Sequence, residues 1–216
     1  MKINDEYISH SIFSEYFSEM IRQFETNDVM LEIMPLVITE LGHRIVEIIN
    51  NLKNRKYADA RSLLGIKDMF ADYNFEVIKL RATLKSFISG IIITSAITDQ
   101  NEIADYQKKW NDYDDSEKSN NPAKFPHQFI YQQFKKVNTL EELAEFNEQF
   151  HQYLVEMAFK LAVILIRRMT FTIEYLKDDE IFNESCYQAA DHLELFQAEI
   201  EKLKKNPYQP NEEERR

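Results

Sequence analysis

Apolar and polar residues alternate along this chain with the period of helices. Residues 5–26 repeat Phe13, Tyr16, Phe17, Met20, Ile21 and Phe24 at that spacing, which predicts a one-faced helix with Glu15 and Glu19 opposite. Asn27-Asp28 interrupts it. A second helix follows to about Lys53, with Val37, Ile38, Leu41, Ile45, Ile48, Ile49 and Leu52 on one side. Pro35 either kinks that helix or opens it at a first-turn position. "NNLKNRK" (50–56) reads as a connection.

From Tyr57 to about Ile97 the helical period continues, with a break expected at Gly65. The stretch 86–97 is apolar and uncharged, which predicts a central buried helix and leaves a strand as the alternative. Residues 98–125 turn polar and acidic: a short helix over about 101–114, then a loop to Phe125. Pro126 can open another short helix to Val137. Thr139 and Glu142 form a capping box ahead of an apolar run. The helix it starts meets no breaker before Lys177, about 38 residues or ~57 Å at 1.5 Å per residue. Asp178-Asp179 stops it, and a last helix runs through "HLELFQAEIEKLKK" to Asn206-Pro207.

These elements predict an all-α fold: a single helical bundle of six or seven helices over 1–206, with one very long helix at about 139–177. An acidic insertion falls at about 98–125 and a disordered tail at 207–216. Composition agrees. Only 3 glycines and 5 prolines occur in 216 residues, too few for the turns a sheet needs. The single Cys186 excludes an intrachain disulfide and points to a reducing, cytoplasmic compartment. No secretory h-region opens the chain, and the longest apolar runs, 87–97 and 158–166, fall short of a membrane span. A net charge of −11 speaks against nucleic-acid binding. The basic clusters Lys53, Arg55, Lys56 and Lys202, Lys204, Lys205 read as complements to helix C-termini.

Two Glu-x-x-His pairs occur, Glu40/His43 and Glu148/His151. Di-iron carboxylate bundles use such pairs, with all ligands projecting into the core. At 100° per residue, Glu40, His43 and Glu47 fall opposite the arc of Leu41, Ile45 and Leu52, so that pair points at water. The long helix has a polar spine of Glu142, Gln149, Glu156, Lys160 and Arg167. His151 lies inside its apolar arc with Asn147 and Arg168, and Glu148 lies at the edge. Burying such groups without partners costs about 1–3 kcal/mol each, so a structural hydrogen-bond network is expected there, with Glu76 a partner. Glu148 and His151 stay the fallback metal ligands; no cofactor is expected.

No phosphate loop, Cys-x-x-Cys, His-Glu-x-x-His or Gly-x-Ser-x-Gly is present. Cys186 reads as a packing residue. "RKYADARSLLGIKDMF" (55–70) resembles a helix of HEPN-type bundles, which occur in bacterial toxin and defence systems. None of the five histidines follows an Arg at that family's ribonuclease spacing, so the resemblance implies a catalytically silent member.

The leading expectation is a non-enzymatic helical protein acting through protein–protein contact, as an immunity- or antitoxin-like protein or an accessory subunit of a bacterial complex. Its partner is another protein, with a basic one favoured by the acidic charge; homo-oligomerisation stays open. Ile103, Tyr106, Trp110 and Tyr113 make one stripe rimmed by Asp105, Asp112, Asp114 and Asp115, a pattern that fits a partner-binding surface anchored on Trp110. Packing of the stripe on the protein's own body is the competing expectation. A ligand- or metal-binding bundle around Glu148 and His151 is the alternative from another class.

Overall fold

A computed structural model of the chain describes residues 27–65, 75–117, 125–178 and 183–206. The helix expected over 5–26, the end of the acidic loop and the tail 207–216 lie outside the described residues. Among those described, the fold is an all-α bundle of seven helices and no strand. They are α1 (Asn27–Lys53), α2 (Tyr57–Gly65), α3 (Phe75–Ser95), α4 (Glu102–Glu117), α5 (Phe125–Phe134), α6 (Leu140–Leu176) and α7 (Asn183–Lys205).

The helix boundaries follow local chemistry. Pro35 sits inside α1, and the Thr39 hydroxyl donates to its carbonyl at 3.0 Å. The end of α1 is a Schellman turn: the Lys56 N–H donates to Asn51 O at 2.7 Å, and the Arg55 N–H to Leu52 O at 3.0 Å. That geometry puts Arg55 at φ 56°, a left-handed position normally held by glycine. The capping box starts α6 as its residues require. The Glu142 N–H donates to Thr139 Oγ1, while the Glu142 carboxylate accepts from the Thr139 and Asn138 N–H groups. α6 then runs 37 residues unbroken, about 55 Å. α5 stops three residues before the expected Val137, where Gln107 Nε2 donates to the carbonyls of both Phe134 and Val137.

The chain divides into two compact units. One comprises 1–47, 67–78 and 159–216; the other comprises 48–66 and 79–158. Helices α1, α3 and α6 each supply residues to both. In the first unit the core is built by Ile38, Leu41 and Ile45 of α1, Leu161, Leu165 and Met169 of α6, and Leu193, Phe196 and Ile200 of α7. Gly42 lets α1 approach α7 closely: a Cβ there would stand 3.1 Å from Phe196 Cγ. Nearby, Thr39 Oγ1 lies 3.0 Å from His192 Nδ1. Since the Thr39 proton is committed to Pro35 O, the imidazole Nδ1–H is the donor in that contact.

In the second unit the core is aromatic. Phe87 packs edge-on against Phe150, and Phe146 joins Phe134 and Phe150. Residues 86–95 of the apolar stretch 86–97 lie in helix α3, not in a strand. Phe87, Ile88 and Ile91 are fully buried, while Ile92 and Ile93 on its far side are exposed.

Candidate functional site

Among the described residues, three places carry side chains with chemistry or binding potential. The first is the polar cluster on α6. His151 is 6% exposed, and its Nδ1 stands 3.0 Å from the Tyr57 hydroxyl at the start of α2. Their rings meet edge to face. Glu148, one turn earlier, accepts from Arg55 Nη2 at 2.5 Å. Arg55 also hydrogen-bonds Tyr57. A guanidinium only donates, so the Tyr57 oxygen is the acceptor, and the phenolic proton is left for His151 Nδ1. The chain Arg55→Tyr57→His151 accommodates a neutral imidazole that accepts at Nδ1. Asn147, one turn before His151, has a buried Oδ1 with no hydrogen-bond partner among the described residues.

The electrostatics agree with that assignment. Burial pushes the His151 pKa down, the Arg55 charge adds to the fall, and the Glu148 charge opposes it. The hydrogen bond from Arg55 holds the Glu148 carboxyl below its usual range. Arg55 and Glu148 are both largely solvated, so their ion pair contributes no more than about 1 kcal/mol. The expected partner Glu76 has no described side chain; Arg55 and Tyr57 fill the role instead. Among the described residues, no group of three or more His, Cys, Asp or Glu could hold a metal ion. Glu40, His43 and Glu47 are exposed, with Glu40 paired to Arg44 at 2.8 Å. Cys186 is buried in the core.

The second place is the α4 stripe. Ile103 is buried and Tyr106 is half-buried, with Lys109 Nζ 4.6 Å from the Tyr106 ring centre. Trp110 is half-buried and lies against Tyr131, Phe134 and Phe150. Its indole fills a notch that only glycine leaves: a Cβ at Gly90 would stand 2.5 Å from Trp110 Cη2. Trp110 is thus packed on the protein's own helices. Tyr113 lies on α4, and its side chain is not among those described.

The third place is the outward face of α7. The inward arc carries Leu193, Phe196, Ile200 and Leu203. Tyr187 and Leu195, eight residues apart on the opposite arc, are 70% and 69% exposed. Around them Glu184, Asp191 and Glu194 are also exposed, and among the described residues no ion pair reaches any of the three. The acids further along behave differently: Glu201 binds Lys204 at 2.6 Å and Glu199 faces Lys202 at 3.7 Å. No helix among the described residues is long and apolar enough to cross a membrane. Comparison with protein-family models, with curated proteins and with solved structures finds no match to this chain.

Proposed function

We propose that this protein acts by binding another polypeptide, not by chemistry of its own, and that the outward face of α7 is the contact surface. The observation that carries this reading is the exposure of Tyr187 and Leu195 on one face, among three carboxylates that no ion pair reaches among the described residues. Apolar anchors inside a polar rim are the arrangement that binding energy concentrates on. Exposed large apolar side chains at matched positions gain about 1.5–3 kcal/mol each when a partner buries them. The polar cluster supports the same reading from the other side. His151 is almost wholly buried, its Nδ1 is occupied by Tyr57, and Glu148 is occupied by Arg55. A general base needs reach to a substrate proton, and this imidazole has little. The reading places the protein in the cytoplasm, where Cys186 stays a thiol.

Site-directed photo-crosslinking in the protein's own cells tests it. A photoreactive residue at 187 or 195 should capture one defined polypeptide, and the same residue at the exposed Glu156 should not. Tyr187→Ser with Leu195→Ser should cut recovery of that polypeptide by tenfold or more. Equal capture from position 156, or recovery unchanged by the double variant, would remove the proposal.

A further inference from the structure

The exposed face of α7 has a charge order that complements itself when reversed. From the N-terminal end it reads Glu184, Tyr187, Asp191, Leu195, Lys202, Lys205, all exposed. At 100° per residue these six fall within an arc of about 80°, spaced by threes, fours and one seven, as in a coiled-coil seam. Acid occupies one half, base the other, and Leu195 sits beside the midpoint of the 184–205 span. We infer that the polypeptide docked on this face is a second copy of the chain, with the two α7 helices antiparallel about a two-fold axis near Leu195. This inference rests on the contact surface proposed above and names its occupant.

The pairing follows from the numbers. About a midpoint between residues 194 and 195, Glu184 faces Lys205 of the second copy, and Tyr187 faces its Lys202. The two copies of Leu195 lie about one residue apart along the axis, or ~1.5 Å, close enough to cover one another. Each contact occurs twice, as an isologous interface requires. A parallel arrangement would set Glu184 and Asp191 against their own copies, which repel.

The charges needed are only lightly engaged within the chain, and Lys205 acts on Glu201 through Coulombic attraction alone. Among the described residues no ion pair reaches Glu184, Asp191 or Lys205, and Lys202 meets Glu199 only at 3.7 Å. The net charge of −11 opposes self-association. At physiological salt the Debye length is about 8 Å, so repulsion among dispersed charges is largely screened, while pairs in contact across the seam are screened less. With one leucine per copy at its centre and one tyrosine per copy toward its ends, the dimer is expected to be reversible and dependent on concentration.

Sedimentation equilibrium of the full chain, loaded from about 1 to 500 µM at physiological salt, tests the inference. The wild type should pass from monomer to dimer across that range. Leu195→Glu should stay monomeric. Glu184→Lys and Lys205→Glu should each weaken the dimer about tenfold, since each sets like charges opposite one another. The double variant Glu184→Lys/Lys205→Glu should recover most of the loss, because both pairs then exchange sign. A circular dichroism melt on each variant confirms that it is folded. Three results would overturn the inference: a wild type monomeric throughout, a dimer indifferent to Leu195→Glu, or a double variant no better than the singles. A monomeric wild type whose 187 crosslink captures a different protein would end the self-association inference and leave the contact-surface proposal standing.

Discussion

The second unit and the outward face of α7 treat exposed-looking chemistry in opposite ways. In the second unit, an aromatic stripe and a buried imidazole both find partners inside the molecule. Trp110 has Tyr131, Phe134, Phe150 and the notch at Gly90; His151 has Tyr57, with Arg55 behind it. On α7, Tyr187 and Leu195 find none among the described residues, and the neighbouring acids find no cation. The lesson is that residue type and helical spacing do not tell an interface from a core. What decides is whether another helix offers a complementary surface. Trp110 on its own helix looks more like an interaction anchor than Leu195 does. The missing Cβ of Gly90, twenty residues away, reverses that order.

The comparison can be broken most severely at Trp110. Trp110→Ala removes a ring that touches three other aromatics, and truncating a buried aromatic costs about 3–5 kcal/mol. Trp110 is only half-buried, so the expected loss is at the low end, about 3 kcal/mol, read by urea denaturation. Gly90→Ala attacks the same contact from the other side. A methyl at 2.5 Å from a rigid ring forces the indole out, and a loss of about 1–3 kcal/mol is expected despite alanine's better helix propensity. Unchanged denaturation midpoints in both variants would mean that Trp110 does not pack at home, and the contrast with α7 would vanish.

The polar half of the comparison is sharpened by pH. The folded-state pKa of His151 lies below its unfolded value near 6.5. Below about pH 6.5 the unfolded chain therefore binds more protons than the folded one, and stability falls as pH drops from there toward the folded pKa. Glu148 acts in the same direction at lower pH: its depressed pKa gives stability above about 4.5 that is lost as pH falls through the folded value. His151→Gln keeps a polar side chain but cannot titrate. It should cost about 1–2 kcal/mol at pH 7, through the lost Tyr57 contact, and should flatten the stability profile between pH 6.5 and 5. His43→Gln, at the exposed pair, should leave the stability at pH 7 within about 0.5 kcal/mol of wild type. A His151→Gln profile parallel to wild type over that window would show that His151 is not buried in its neutral form.

How much of this was legible in the sequence depends on the range of each interaction. The capping box at Thr139, the polar spine from Glu142 to Arg167 and the outward Glu40/His43 pair all follow from spacings of three and four, and the structure has them. The helix ends were readable to within a few residues wherever the terminating group was local. The end of α5 falls three residues before Val137, where Gln107 from another helix satisfies the carbonyls of Phe134 and Val137. The partners of Glu148 and His151 stand 93 and 94 residues away. The sequence showed that both groups needed something, but it could not show what. Arg55 stands at a helix terminus, at the left-handed position of the α1 turn, and that turn also carries its guanidinium to Glu148. The outward face of α7 also follows from spacing. Leu195 lies off the arc of Leu193, Phe196, Ile200 and Leu203, and that displacement alone marks it as outward.

The smallest expected effect is the most discriminating. Tyr187→Ala with Leu195→Ala removes two large side chains, yet the folded protein buries little of either. Surface changes away from caps, networks and cores usually stay within about ±0.5 kcal/mol. Alanine also has the best helix propensity, which offsets part of the lost contact with neighbouring turns by a few tenths of a kcal/mol per residue. The double variant should therefore unfold within about 0.5 kcal/mol of wild type, measured at a concentration where any association is negligible. At high concentration the two proteins should part: wild type gains stability by mass action as copies associate, and the double variant gains none. A loss above about 1 kcal/mol for the dilute double variant would place Tyr187 and Leu195 in a core of the protein's own, and α7 would then belong with Trp110 on the satisfied side of the comparison.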